Sequence, residues 1–557
     1  MLLKDRTIEN LSPLDGRVQI RDFTVYWRGF AYEDGLPAGA PSIEKFAAEA
    51  TTDLPAASVH LKGNYFVAAV DNRTGDRYAF VDQSALFQAF YSSRLISTSF
   101  LDLIAEEQLH CGDMNPEAVV EFFHFGNIYA GRTFFNTVRK LPADEILCLT
   151  PGRSIATIAK PVPDLTEPPS RSLLDCFRSF ATAATGEKIS LDLTGGIDSR
   201  LLAVVLQYFG APFEAVTSGN EDNLDVAIAR EVASLLQVEY HWFRHDATQM
   251  ESRLAELFYA TDGLCDLVRS YRAYEVQKDR LARDVTLMVS GAGGELYKDF
   301  WWLQDFPFYT RRTPQLERLF DLRLCAVPLN HTLLNGVYRE LSQAQRFRTL
   351  QELAAFTVEG NTQTYDRVYY GFKMREYAGR FLSNYRDLLM SYAPYLESEA
   401  VRFGYNLPRR QRFFNFFHRQ TMTRLNPAAA RVPTTEGKMT VSSEFSNVFR
   451  DLSKYVTNRM SRLACKVRQR FGQCPVPAGS PDDPRLRAIV RDLPHTKDGL
   501  GRLKESGILV RSAQIDDLSS TQIGTVLTLG LLFDFLERNS ARKKSVSAAS
   551  FASATSS

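Results

Sequence analysis

The segment Lys188-Ile-Ser-Leu-Asp-Leu-Thr194-Gly195-Gly196-Ile197-Asp198-Ser199-Arg200 limits what this chain can fold into more than any other. An apolar strand runs into two glycines and out into the apolar helix-forming run LLAVVLQYF at 201–209. Glycine lets the backbone turn tightly and leaves its N–H groups uncovered. Those amides, the positive end of the helix dipole and the hydroxyls of Thr194 and Ser199 converge on one spot, an anion site suited to a pyrophosphate. Asp198 is placed to hold the Mg²⁺ that phosphates require. A Gly-Gly turn alone is also a common link between a strand and a helix capped by Asp or Ser. The full string is more specific, and it lacks the G-x-x-x-x-G-K-[ST] pattern, so cleavage between the β and γ phosphates is not implied.

The rhythm around this segment sets the fold class. From about residue 171 the chain alternates KISLDL, SRLLAVVLQYF, FEAVTSG, LDVAIAREVASLLQ and TLMVSG, the strand-and-helix sequence of a parallel α/β sheet. Residues 310–540 read as a helical extension. Upstream, FTVYW, YFVAAVD, RYAFVD and EILCLT are short β-type runs between turn signals, predicting an antiparallel β-rich domain. Asp71-Asn72-Arg73-Thr74-Gly75-Asp76 has the residues of a hairpin turn between two of them. The stretch PVPDLTEPPS at 161–170 can form neither helix nor central strand and reads as a linker. The expected division is therefore a domain over 1–160, a linker over 161–170, a second domain over 171–540, and a Ser/Ala-rich disordered tail over 541–557.

At 557 residues the chain exceeds what one core serves. Its 66 basic residues against 65 acidic ones leave no global field for nucleic acid or an anionic membrane. A small-molecule or peptide substrate fits better. The seven cysteines include no C-x-x-C pair, which suggests neither a disulfide framework nor a cysteine zinc site. The first residues have no signal-peptide core, and the apolar stretch 523–536, broken by Asp534, is too short to span a bilayer. A cytoplasmic enzyme without a membrane segment is expected.

Thr-Gly-Gly-Ile-Asp-Ser at 194–199 resembles the S-G-G-x-D-S loop of the PP-loop ATP pyrophosphatases, with Thr keeping the first hydroxyl. Further segments are similar to the asparagine synthetase-like (class B) amidoligases. Asp225, Ala229, Val232, Ala233 and His241 fall on the family's second strand and helix, whose strand edge cradles adenine. That makes Thr217, Ser218 and Gly219 the candidates for the base. Val289-Ser290-Gly291-Ala292-Gly293-Gly294-Glu295 resembles the S-G-x-G-x-D loop, so Ser290, Gly291 and Gly293 join the nucleotide site and Glu295 supplies the second Mg²⁺ contact. In the N-terminal domain, Gly63, Phe66, Asp71, Gly75, Asp82 and Tyr91 fit the pattern of the glutaminase-type (Ntn) sandwich.

The resemblance implies carboxylate activation by ATP through an acyl-adenylate, followed by amide formation with release of AMP and pyrophosphate. Two departures shape it. Glutamine hydrolysis in that family needs a Cys at the processed N-terminus, where this chain has Leu2, so the amine is expected on the substrate, as in β-lactam synthetase-like and lasso-peptide cyclase-like relatives. Ala292 stands where relatives carry a Glu or Tyr that serves the amine; Tyr297, Tyr369 and Glu376 are the substitutes considered. A family lysine meets the charge developing on pyrophosphate. Lys497, in the turn-rich PHTKDG, is the choice, with Lys438 and Lys504 as rivals. Arg431-Val-Pro433 is set against a family R-x-P step. His241 and His245 read as packing or substrate contacts and not as zinc ligands, and Phe300-Trp301-Trp302 as core. Other readings stay open: a different PP-loop adenylating activity, or a non-catalytic partner with a decayed site. A homo-oligomer or a pathway partner protein also stays open.

Overall fold

The computed structural model describes the chain apart from residues 299–311, 326–329, 436–439, 448, most of 451–483 and 555–557. Of the residues singled out above, Lys438 and Phe300-Trp301-Trp302 lie outside the described residues.

The N-terminal part is built from two antiparallel sheets. One has six strands in the order Ala156–Ala159, Glu145–Leu149, Arg77–Val81, Lys62–Asp71, Phe23–Tyr32, Gly16–Ile20. Alternation along Lys62–Asp71 sends Phe66 and Ala68 to one face and Tyr65, Val67 and Ala69 to the other. The first face packs with Leu3 and Ile96 of a second, five-stranded sheet. The other is covered by Ile43, Phe46 and Ala47 of helix Ala40–Ala50. The expected hairpin is present: Val70 pairs with Arg77, and Gly75 turns the chain at φ 79°. Leu2 is buried in strand Leu2–Leu3 and pairs with Ser97.

The second part centres on a five-stranded sheet, parallel throughout, in the order Glu239–Phe243, Phe213–Ser218, Ile189–Asp192, Leu287–Val289, Met390–Tyr392. Chain order reverses between Ile189–Asp192 and Leu287–Val289, and such a switch point opens a crevice at the carboxyl ends of its two strands. Both glycine loops leave the sheet there. Helix Asp198–Tyr208 is buried from Ser199 to Leu206. Helix Leu224–Leu236 buries Val226, Ala229, Val232, Ala233 and Leu236 at helical spacing and starts on the Asn223 side chain, which accepts from Asp225 N.

The two parts meet along the edge strand Met390–Tyr392. Asn64 Nδ2 donates to Ser391 O at 3.0 Å, the Tyr32 and Tyr392 hydroxyls lie 3.1 Å apart, and Arg28 Nη1 donates to Asp387 at 2.8 Å. Residues 161–170 contain neither helix nor strand. The rest is helical. Ile523, Val526, Leu527, Leu529, Leu532 and Leu536 of the last helix, Ser520–Ala554, anchor a second core that also takes in Phe122 and Phe123 from the N-terminal part. That helix carries backbone helix well into 541–557, where a disordered tail was expected. No helix among the described residues is long and apolar enough to cross a membrane.

Candidate active site

The site is assembled at the switch point. The helix after the first loop begins at Asp198, as its residues suggested, and no side chain caps its start, so its first N–H groups face the crevice. The loop is braced from inside. Ser199 Oγ accepts from Thr194 N at 3.0 Å and lies 2.9 Å from Thr194 Oγ1, which in turn accepts from Gly196 N at 3.2 Å. Asp225 Oδ1 takes the Gly195 N–H at 2.9 Å, so the aspartate of the second helix steadies the phosphate loop.

The second glycine loop lies against this helix start. A Cβ on Gly291 would come within 3.0 Å of Ser199 N, and one on Gly294 within 2.4 Å of Asp198 Cγ. Gly293, at φ 98°, would run into Leu396. Ser290 N donates to Tyr392 O at 2.9 Å, which fixes the loop to the edge strand. The structure thus brings Thr194, Gly195, Gly196, Asp198 and Ser199 together with Ser290, Gly291, Gly293 and Glu295.

Asp198 is the electrostatic centre. Burial alone pushes its carboxyl up, but Lys298, with Nζ 2.5 Å from Oδ2, and His418, with Nε2 3.1 Å from Oδ1, outweigh burial and hold it down at about 2. His418 Nε2 lies close to Asp198 Oδ1 but is not aligned to hydrogen-bond, and Asp198 Oδ1 accepts no hydrogen bond. The Tyr395 hydroxyl donates to Asp198 O at 3.1 Å. Tyr369 donates its hydroxyl to the Glu295 carboxylate. Burial first, and then the Glu295 charge, hold that phenol well above its usual pKa.

Arg200, fully buried, ties in a distant segment. Its guanidinium donates to Val432 O at 2.6 Å and Pro433 O at 2.7 Å, and reaches Gly195 O at 3.3 Å. Thr435 N donates to Gly195 O at 3.3 Å. The Arg431-Val-Pro433 step is therefore mounted on the phosphate loop.

Other expectations fare differently. Thr217, Ser218 and Gly219 end the neighbouring strand, but several of their groups are engaged: Thr217 Oγ1 with Leu193 O, Ser218 O with Arg272, and Gly219 N and O with Phe243 O and Trp242 Nε1. Lys497 is not in a turn-rich loop over the phosphates. It is exposed on helix Pro494–Glu505, whose inner face, Leu500 and Leu503, belongs to the second core, while Ile197 of the loop belongs to the first. Of the substitutes for Ala292, Tyr297 is buried with its hydroxyl on Ala400 O, and Glu376 pairs with Lys140 at 2.5 Å; Tyr369 alone touches a loop residue. His241 lies beside Glu214 and Glu239, the one group among the described residues with metal-ligand spacing, but Glu214 is already paired with Arg283 at 2.8 Å.

Lys298, His418 and Arg200 escaped the sequence reading. Lys298 follows Glu295 by three residues and was within reach of it; His418 carried no local signal.

The family model for asparagine synthase matches residues 181–415 of this chain. The matched segment holds all five strands of the parallel sheet and both glycine loops. It supports an ATP-dependent, ligase-type site in this part of the molecule. No curated protein matches the chain. Among solved structures, an NMN synthetase from Francisella tularensis is 15% identical over 36% of this chain and 90% of its own, with a TM-score of 0.19.

Proposed function

We propose that this chain joins a carboxylate to an amine at the expense of ATP, through an acyl-adenylate. The observation that carries the reading is the meeting of two glycine loops at the sheet's switch point, over an uncapped helix start, with Asp198 and Glu295 beside them. In the first step a carboxylate oxygen attacks the α-phosphorus. The α–β bridging bond breaks and pyrophosphate leaves. In the second, the amine nitrogen attacks the acyl carbon, AMP leaves and the nitrogen gives up a proton.

Backbone amides of 197–199, at the uncapped helix start, would hold the phosphates. Mg²⁺ suits the residues present: Asp198 and Glu295 are hard oxygen donors, Asp198 stays ionised, and its buried Oδ1 lacks a hydrogen bond. Bound there, the ion would neutralise phosphate charge. Lys298 takes over the role given to Lys497, since it is the described lysine beside Asp198. Its ammonium can meet the charge that develops on the departing pyrophosphate. Tyr369, kept protonated by burial and by Glu295, orients that carboxylate and does not take the amine's proton.

Residues 1–160 are proposed as a degenerate glutaminase-like domain. Two facing sheets with an outer helix layer support this, and a substrate amine is proposed in place of glutamine-derived ammonia. A second reading, a non-catalytic partner with a decayed site, is favoured by Ala292 but not by the intact charge balance around Asp198. Cytoplasmic location and a small-molecule or peptide carboxylate remain part of the proposal.

The test is pyrophosphate release from ATP and Mg²⁺ with purified protein across a set of carboxylates and peptides, beside Asp198→Ala. Release that needs both a particular carboxylate and Asp198 supports the reading. No release with any of them, together with no effect of ATP on the melting temperature, leaves the decayed-site reading.

A further inference from the structure

A cavity of about 440 Å³ lies away from the glycine loops, where the N-terminal sheets meet the helical region. That volume suits a small organic ligand. Its walls divide by chemistry. Phe356 and Phe372 form an apolar side, with rings 6.0 Å apart edge to face. Arg139, Lys140 and Arg375 in the same lining supply cations. Lys140 is neutralised by Glu376 at 2.5 Å, whereas Arg375 and Arg139 make no ion pair among the described residues. Glu352 on the rim is matched by Arg132. The lining holds three basic and three acidic residues; with Lys140–Glu376 and the Arg132-bound Glu352 set aside, Arg139 and Arg375 remain with the single acid Glu145.

Gln88 is the deciding residue. It is 3% exposed and lines this cavity, yet neither its Oε1 nor its Nε2 has a hydrogen-bond partner. Its backbone N–H is satisfied, donating to Ser383 Oγ at 2.9 Å, so the side chain alone is left over. A buried primary amide with both ends unpaired is disfavoured unless something entering the cavity pairs with it.

We propose that this cavity binds a small carboxylate that also carries an amide and an apolar group. The carboxylate pairs with Arg375 and Arg139, the amide exchanges hydrogen bonds with Gln88, and the apolar part lies on Phe356 and Phe372. The site is independent of the nucleotide reading, but connected to that region. Arg375 begins helix Arg375–Ser383, which continues the π-helical turn Val368–Met374 that carries Tyr369, the partner of Glu295. Tyr369 and Arg375 stand six positions apart on this continuous helical run. π-helical turns are frequent at functional sites.

The test uses the full-length protein without nucleotide and N-acetyl-L-phenylalanine as probe, which carries all three groups, with its uncharged methyl ester as control. Ligand-observed NMR should show saturable binding of the acid and at least tenfold weaker binding of the ester. Arg375→Gln and Gln88→Leu should each weaken the acid about tenfold, and Arg73→Gln, on the N-terminal hairpin, should not. Gln88→Leu should also leave the melting temperature unchanged or raise it, because it removes an unpaired buried amide; this separates a ligand-binding Gln88 from a structural one. Absence of saturable binding, equal binding of the ester, or a clear loss of stability in Gln88→Leu would overturn the proposal.

Discussion

Gly294 and Asp198 are in such close approach that a Cβ on the glycine would lie 2.4 Å from the aspartate's carboxyl carbon. The two residues belong to different loops, and the contact locks those loops together. Gly294→Ala must therefore displace Asp198 from Lys298 and His418. Such overpacking typically costs ~1–3 kcal/mol, and the protein should still fold. The expected outcome is a folded variant, by circular dichroism, in which any ATP-dependent pyrophosphate release falls by at least about tenfold.

Arg200 predicts a larger effect on stability. Its guanidinium satisfies buried carbonyls of Val432 and Pro433, and Arg200→Leu leaves them unpaired. Buried groups left unpaired cost ~1–3 kcal/mol each, so urea unfolding should show destabilisation of at least about 2 kcal/mol. Protease sensitivity should rise first around 430–435, the segment that arginine holds.

Lys497→Ala should do nothing at the site. The residue is exposed on a helix that serves the second core, so both melting temperature and nucleotide-dependent activity should match the parent protein. Lys298→Met, by contrast, removes the ammonium 2.5 Å from Asp198 and should abolish activity. Side-by-side pyrophosphate assays of the two variants separate the alternatives.

The pH dependence of stability has an identifiable contributor in His124. Burial, and then the nearby His331, depress its pKa to about 4. In the unfolded chain it titrates near 6.5, so between about 6.5 and 4 the unfolded state binds the extra proton and stability falls as pH falls. The contribution is intact above about 6.5 and fully lost below about 4, on the order of 3 kcal/mol in all. In His124→Gln the melting temperature should vary less with pH across that window than in the parent.

What the sequence made legible was whatever depends on local pattern. The strand, glycine pair and helix at 188–209 were readable because period and turn chemistry both act within a few residues. The hairpin at Asp71 to Asp76 was readable for the same reason. Partners brought in by tertiary packing were not: Lys298 reaches Asp198 across 100 residues and Arg200 reaches Val432 across 232. Lys497 was misplaced because Pro494 and Gly499 look like turn residues. Pro494 instead opens the helix, and Gly499 allows a close crossing, since a Cβ on Gly530 would come within 2.5 Å of its Cα.

Whether the two glycine loops form one phosphate site is decided by calorimetric titration of ATP with Mg²⁺ into the full-length protein. Saturable binding at one site is expected, weakened at least about tenfold, or ~1.4 kcal/mol, by either Thr194→Val or Gly294→Ala, one substitution in each loop. Binding untouched by both substitutions, or no binding to the parent protein, would contradict it.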